Sequence, residues 1–226
     1  MKLESIIPWG RSLNEYRSMF SLTEIDLNKK ILGCGDGPAS FNAEITAAGG
    51  SVISVDPIYQ FTGPQIHSQI DHAYDQIMSQ IEENFDKYTW DSIDSIEQLG
   101  KLRMNAMEIF LSDFESGSNE GRYVSERLPE LPFEDNEFEL ALCSHFLFLY
   151  SEQVNLDLHI GGMRELCRVA KEVRVYPLLA LDGKISSHIQ PVKDALTKSG
   201  MHVSMVPVEY RFQKGAVEML VAKNTA

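Results

Sequence analysis

Three glycines separated by single residues, Gly33, Gly35 and Gly37, form the stretch best suited to bind a ligand. Without a Cβ, the backbone can turn sharply and approach a ligand closely. Pro38 follows and suits the first turn of a helix, whose free N–H groups would face the same ligand. Asp56 comes 19 residues after Gly37, where a carboxylate can accept hydrogen bonds from a ribose diol. These residues predict a nucleoside-containing ligand, since an ordinary strand-to-helix turn needs fewer glycines.

The spacing of the glycines distinguishes between kinds of nucleotide-binding loop. A dinucleotide site requires G-x-G-x-x-G, but Pro38 or Ser40 stands at the third glycine position in the two frames. No G-K-[ST] sequence occurs, so a P-loop is excluded. The G-x-G-x-G spacing resembles motif I of the class I S-adenosylmethionine-dependent methyltransferases. That resemblance implies S-adenosylmethionine as the cofactor and Asp56 as its ribose-binding acid.

The resemblance covers residues 29–60 and 121–150. In the second range, "LPFEDNEFEL" is similar to a run found in the small-molecule, type 11-like branch of the family. "PWGRSLNEYRSMF" and "LGCGDGPASFN" are similar to segments of a bacterial subgroup of unassigned substrate. Ile31 departs from the family pattern, which has an acidic residue two positions before the first glycine. This departure predicts weaker cofactor binding or another residue in that role.

The resemblance also assigns cofactor contacts residue by residue. They fall in the glycine loop, after the second and fourth predicted strands and in the loop that precedes the fourth: Gly33, Gly35, Gly37, Asp56, Pro57, Ile58, Leu128 and Ser144. Asp36 stands between two of the glycines, and capping of the helix at Pro38 explains it as well as a ligand role does.

His145 and Arg11 are candidates for two further roles. His145 follows the fourth predicted strand, where the family's site faces the reacting end of the cofactor. It could act as a general base toward an oxygen or nitrogen acceptor, or be a structural histidine held by a backbone carbonyl. Arg11 could pair with the cofactor carboxylate in place of the acid absent at Ile31, or be a charge on a surface helix.

Strands and helices alternate around these residues. Apolar or β-branched stretches at 29–32, 51–56, 123–124, 138–150 and 172–178 predict parallel strands, with helical periodicity between them. "MHVSMVPVEYRF" and "GAVEMLVAK", joined by "QKG", predict an antiparallel hairpin. This alternation, closed by a hairpin, predicts an open α/β sheet. The family resemblance implies the Rossmann-like class I methyltransferase form of this α/β fold, with a mostly parallel seven-stranded sheet, helices on both faces and an antiparallel C-terminal hairpin strand.

Composition excludes several classes of protein. The chain has 226 residues, 43% of them hydrophobic, and a formal net charge of -13, so a nucleic-acid partner is not expected. Its three cysteines lack metal-ligand spacing, which predicts a reducing compartment, no disulfide and no metal. The sequence contains no apolar run long enough to predict a membrane span. Its first twelve residues lack the features of a secretory signal. A cytoplasmic protein is expected.

We predict a single methyltransferase domain over 1–226, with an N-terminal cap segment over about 1–28 and a helical insertion over about 64–115. The insertion could be a lid over a substrate pocket or the surface of a homodimer. The resemblance implies methyl transfer. Because no N-P-P-Y-type sequence follows the fourth strand and the net charge is negative, we predict a small-molecule acceptor rather than a nucleobase. One alternative is a non-catalytic regulatory or assembly protein that binds S-adenosylmethionine or S-adenosylhomocysteine. Another, disfavoured by the glycine spacing, is an NAD-dependent oxidoreductase.

Overall fold

The computed structural model describes residues 7–91 and 93–224, and its strands form one seven-stranded sheet. The sheet order is β3-β2-β1-β4-β5-β7-β6. The first five strands are parallel, and β7 is antiparallel to both β5 and β6. The strands are β1 Lys30–Cys34, β2 Ser51–Val55, β3 Tyr123–Val124, β4 Leu140–Ser144, β5 Glu172–Tyr176, β6 Met201–Pro207 and β7 Glu218–Asn224.

Seven α-helices within the described ranges surround this sheet. Ser12 and Thr62 form capping boxes at the starts of the first and fourth helices, each with a Glu or Gln three residues later. The helices are α1 Leu13–Phe20, α2 Glu24–Leu27, α3 Phe41–Ala47, α4 Gly63–Glu83, α5 Ile96–Asn119, α6 Leu156–Val169 and α7 Ile189–Lys198. None of the helices in 7–91 and 93–224 has the length and hydropathy needed to cross a membrane.

Alternate residues of the central strands point to opposite faces of the sheet and fill two separate cores. In β1, Leu32 packs with α6 and α7 on one face, whereas Ile31 packs with α1 and α3 on the other. All five residues of β4 are buried, as expected for a strand covered on both faces.

The register of the parallel strands brings three loops to one place. Cys34 at the end of β1 is level with Val55 at the end of β2 and with Cys143 in β4. The order of the sheet reverses beside β1, because β2 and β4 lie on its two sides. Ligands of open α/β sheets bind at such a reversal, beyond the carboxyl ends of the strands. The loops after β1, β2 and β4 therefore meet where a ligand site is expected.

Three local predictions differ from the structure. The helix predicted to begin at Pro38 begins at Phe41. Asp36 is not its cap, because the buried Asp36 carboxyl instead accepts hydrogen bonds from other side chains. The β6–β7 connection spans 208–217 rather than "QKG", because Tyr210 and Phe212 leave the hairpin to pack against other elements. Residues 1–6 of the predicted cap segment lie outside the described residues.

Candidate functional site

A cavity of about 530 Å³ lies at the carboxyl ends of β1, β2 and β4. Its size is in the range of small-molecule and cofactor sites. Nine of the ten residues predicted for the site line it, and the exception is Gly33. The nine are Arg11, Gly35, Gly37, Asp56, Pro57, Ile58, Leu128, Ser144 and His145.

The backbone of the glycine loop adopts conformations that disfavour other residues. Gly35 has φ +70° and Gly37 has φ +53°, both in the left-handed region. A Cβ at Gly35 would lie 2.8 Å from the Cβ of Phe146, so the loop packs tightly there. A Cβ at Gly37 would meet only Asp56 Oδ2, at 3.9 Å, so open space lies before that backbone. Gly37 is thus the point of this loop that a ligand can approach most closely.

Gly33 lies within β1 and leaves room for a side chain of the loop that follows this strand. A Cβ there would lie 1.8 Å from Asp36 Oδ2, so the absence of a side chain makes room for the Asp36 carboxyl. That carboxyl accepts hydrogen bonds from Tyr16 Oη and Ser54 Oγ, each at 2.7 Å. Burial raises the pKa of Asp36 to about 7, against the opposing effect of the two hydroxyl donors. Asp36 therefore ties the loop to α1 and β2.

Asp56 holds the loop after β1 against the loop after β2. Its Oδ2 accepts from the Gly37 N–H and its Oδ1 from the Ile58 N–H, both at 2.9 Å. Burial raises the pKa of Asp56, although the two N–H donors act in the opposite direction. Because an ionised carboxylate has about four acceptor positions, both oxygens retain capacity toward the cavity. Asp56 therefore caps the turn that begins at Pro57 and still has acceptor positions for a ribose.

Ser144 and His145 follow β4 at the cavity wall. Ser144 Oγ lies 3.0 Å from His145 Nδ1, and the His145 backbone N–H donates to the Tyr176 carbonyl at 2.8 Å. Burial, followed by the positive charges of Arg11 and Arg103, lowers the pKa of His145 well below its ordinary value. The ring is therefore neutral near pH 7, which is the form that can accept a proton.

Arg11 presents a guanidinium that lacks an acidic partner among the described residues. Its Nη1 donates to the Trp9 carbonyl at 3.1 Å, and its buried Nε has no hydrogen-bond partner. Burial lowers the pKa of Arg11, and the charge of the nearby Arg103 adds to this. A buried charge of this kind is stabilised by an anion that can form two hydrogen bonds with it.

Arg103 of α5 does have acidic and phenolic partners. Its guanidinium is fully buried and pairs with Glu15 of α1, and its Nη2 lies 3.3 Å from Tyr210 Oη. Tyr210 Oη in turn donates to Glu15 Oε1 at 2.8 Å. These three side chains join α1, the insertion and the β6–β7 connection beside the cavity. No sequence pattern assigned Arg103 or Tyr210 to the site, since their contacts span 88 to 195 residues.

The remaining predicted positions divide between the wall and the core. Pro57 and Ile58 line the cavity, and Leu128 lines it while being buried with Val55 in the adjoining core. Ile31 is fully buried against Tyr16 and does not line the cavity. An acid is therefore not missing from the wall at that position. No group of three or more His, Cys, Asp and Glu side chains within 7–91 and 93–224 could hold a metal ion.

No protein-family model matches the chain. An uncharacterised protein of Methanocaldococcus jannaschii is 29% identical over 224 residues, which cover 99% of this chain and 98% of that protein. Among solved structures, the mitomycin 7-O-methyltransferase MmcR is similar with a TM-score of 0.51 and 13% identity, over 94% of this chain and 54% of MmcR. The chain thus spans about half the length of MmcR. Magnesium protoporphyrin IX methyltransferase of Synechocystis, solved with bound S-adenosylmethionine, gives a TM-score of 0.44 and 12% identity, over 89% of this chain and 73% of that one.

The likeness to MmcR, together with the strand order, confirms the predicted Rossmann-like methyltransferase fold. At 13% identity it establishes the fold alone.

Proposed function

We propose that this protein binds S-adenosylmethionine in the cavity and transfers its methyl group to a small-molecule acceptor. The observation that carries the proposal is the position of Asp56. Its carboxylate bridges the Gly37 and Ile58 N–H groups at 2.9 Å, beside open space and at the reversal of the strand order. This is the arrangement that holds the ribose of a nucleoside cofactor in sheets of this kind.

The residues of the cavity fit each part of that cofactor. Asp56 would accept from the ribose hydroxyls, while Pro57, Ile58 and Leu128 would contact the adenine. The Arg11 guanidinium, whose Nε has no hydrogen-bond partner, would bind the cofactor carboxylate, and Ser144 would face the methionine part. Gly37 allows the close backbone approach, Gly35 lets the loop pack against Phe146, and Gly33 makes room for Asp36.

When bound, S-adenosylmethionine supplies a methyl group activated by its attachment to a sulfonium sulfur, and this sulfur becomes a neutral thioether when the acceptor takes the methyl group. The residues of this chain contribute orientation, since they fix both reactants within one cavity. Where the attacking oxygen or nitrogen carries a proton, the neutral His145 ring would take it. The net charge of -13 and the size of the cavity, about 530 Å³, favour a small acceptor over a nucleic acid.

The family branch is part of the same proposal. Residues 131–140 resemble the small-molecule, type 11-like branch, and we propose that branch for this chain. The relative in M. jannaschii is archaeal and matches almost the whole chain, so we do not restrict the subgroup to bacteria.

Turnover with a methyl-labelled cofactor tests this function. The protein would be incubated with S-adenosylmethionine labelled in the methyl group and a small-metabolite extract, and both labelled product and S-adenosylhomocysteine would be measured. We expect both to form with wild type and with Asp75→Ala, an exposed carboxylate of α4, and neither to form with Asp56→Ala.

S-adenosylhomocysteine binding without turnover in any extract would instead support the regulatory or assembly protein. Absence of binding by either sulfur cofactor would contradict the proposal altogether.

A further inference from the structure

One end of the cavity lies beyond the groups assigned to the cofactor. Ile77 and Ile81 of α4 line it together with Tyr88, Tyr210 and Phe212, and these side chains belong to one apolar cluster. We refer to the space between these five residues as the acceptor chamber. They come from the insertion and the β6–β7 connection, whereas the groups assigned to the adenine and ribose follow β1, β2 and β3.

Aromatic rings fix the shape of the chamber. Tyr88 and Phe212 are stacked, with ring centroids 4.8 Å apart and planes 23° apart. Trp90 holds the Phe212 ring edge-on at 5.7 Å, and Tyr176 holds Tyr210 edge-on at 6.0 Å. Rings held by neighbouring rings cannot rotate freely, so they present fixed faces. Fixed aromatic faces beside the Ile77 and Ile81 side chains favour a flat ligand.

The charges that line the cavity are confined to the cofactor part and its boundary. Among the described lining residues, the side chains of Asp, Glu, Lys and Arg are Arg11, Asp36, Asp56, Glu126 and Arg127. Asp36 and Asp56 belong to the β1 and β2 loops, and Glu126 and Arg127 lie in the loop after β3. Arg11 is the one charge near the chamber, and the proposed function assigns it to the cofactor carboxylate.

The charged groups behind the chamber wall already have partners. Arg103 pairs with Glu15, and Tyr210 donates to the same carboxylate. Apart from these groups, the polar side chains that line the chamber among the described residues are uncharged, and they include Gln213 and the Tyr88 hydroxyl. A charged acceptor buried here would lack a counter-ion, which is costly.

We infer that the acceptor is a flat, uncharged aromatic compound whose hydroxyl group is methylated at the His145 end of the chamber. This inference rests on the proposed function. In the step, the acceptor oxygen forms a bond to the methyl carbon as the carbon–sulfur bond breaks. The hydroxyl proton goes to the neutral His145 ring, and the bond electrons remain on the sulfur of S-adenosylhomocysteine. Ser144 Oγ, 3.0 Å from His145 Nδ1, positions that ring.

Three probes built on the same ten-carbon ring system test the inference, and two of them each differ from 2-naphthol in one property. 2-Naphthol is flat and uncharged, 6-hydroxy-2-naphthoate adds a carboxylate, and decahydro-2-naphthol has the same carbon skeleton but is not flat. Each would be titrated calorimetrically into the protein saturated with S-adenosylhomocysteine. We expect 2-naphthol to bind about tenfold more tightly than either of the others, as the loss of aromatic contacts or of a counter-ion implies.

Two variants localise the binding. Phe212→Ala removes a chamber wall and should weaken 2-naphthol about tenfold while S-adenosylhomocysteine binds as in wild type. Phe85→Ala is the matched control, because Phe85 stacks on Trp90 at 4.6 Å but does not line the cavity. It should leave both affinities unchanged.

Several results would overturn the inference. Equal or tighter binding of the naphthoate would assign Arg11 to an anionic acceptor. If decahydro-2-naphthol bound as tightly as 2-naphthol, the acceptor would not need to be flat. If 2-naphthol did not bind, the chamber would not be a site for an aromatic acceptor. The affinity of S-adenosylhomocysteine is measured first. If S-adenosylhomocysteine does not bind, that result contradicts the proposed function and is distinguished from a failure of the inference about the acceptor. In that case the same three probes are titrated into the protein alone, and the same order of affinities is required.

Discussion

At residue 35, packing and backbone conformation both require glycine. Alanine there would have φ +70° and a Cβ 2.8 Å from Phe146. Gly49 offers a matched control, because it has φ +86° and a Cβ added there would meet no atom within 4 Å. We expect Gly49→Ala to cost about 1–2 kcal/mol in free energy of unfolding from conformation alone, and Gly35→Ala about 1–3 kcal/mol more from the clash. Urea unfolding measures both, and equal costs would contradict the packing role of Gly35.

Asp36 makes stability depend on pH. Its pKa is raised from 3.8 to about 7 in the folded protein, so between these values the folded state binds the extra proton. Stability contributed by the protonated form is therefore lost as pH rises toward 7. Asp36→Asn does not titrate, so its free energy of unfolding relative to wild type should increase by about 2 kcal/mol between pH 5 and pH 8.

Chemical unfolding of both proteins across this pH range measures the difference. Asp75→Asn, at an exposed position of α4, should follow wild type. A constant difference between Asp36→Asn and wild type would show that the Asp36 carboxyl does not titrate in this window.

The residues of the site differ in how well the sequence predicted their positions. Gly35, Gly37 and Asp56 were predictable because a short motif and one strand-helix-strand unit fix their relative places. Gly33 obeys the same motif, yet its missing side chain accommodates Asp36 rather than facing the cavity. The neighbours of Asp36, Tyr16 and Ser54, lie 20 and 18 residues away in sequence, so a helix cap was an equally reasonable interpretation.

Among the elements, α1, α5 and the β6–β7 connection are joined by one buried ion pair. Arg103 of α5 is fully buried against Glu15 of α1, and Tyr210 bonds to the same carboxylate. Removing one partner leaves a buried charge, so Glu15→Gln or Arg103→Met should each cost about 3–5 kcal/mol in free energy of unfolding. The double variant should cost less than the sum of the two, because neither charge is then left alone.

Urea unfolding of the four proteins gives the coupling between the two side chains. Additive costs would mean that the ion pair does not hold these elements together. A loss of cofactor affinity in either single variant is also expected, since Arg11 lies beside Arg103.

The elements themselves were largely predictable, and their connections were not. Apolar β-branched runs located all seven strands, although the run at 138–150 extends past the end of β4 at Ser144. The helical stretch predicted over 64–115 is divided into α4 and α5. The β6–β7 connection was underestimated because Tyr210 and Phe212 read as part of a strand. Their places are set by contacts with Glu15, Tyr88 and Trp90, which no local pattern records.

Across the whole molecule, segments distant in sequence converge on one cavity. The N-terminal segment supplies Arg11, the sheet loops supply Asp56 and His145, and α4 with the β6–β7 connection supplies the far wall. The sheet order follows from alternating elements, whereas the closure of the cavity depends on how separate segments pack over it. That closure is why the sequence predicted the lining residues near β1, β2 and β4 and not those from α4 and the β6–β7 connection.

The most direct test of the central claim is a calorimetric titration of S-adenosylhomocysteine into wild type, Asp56→Ala and Asp75→Ala, with NAD as a second ligand. Hydrogen bonds to a charged group contribute about 1.5–3 kcal/mol, so Asp56→Ala should bind S-adenosylhomocysteine at least about tenfold more weakly than wild type. Asp75→Ala should match wild type, and NAD should not bind. No binding of S-adenosylhomocysteine to wild type, or equal affinity in Asp56→Ala, would contradict the assignment of this cavity to the cofactor.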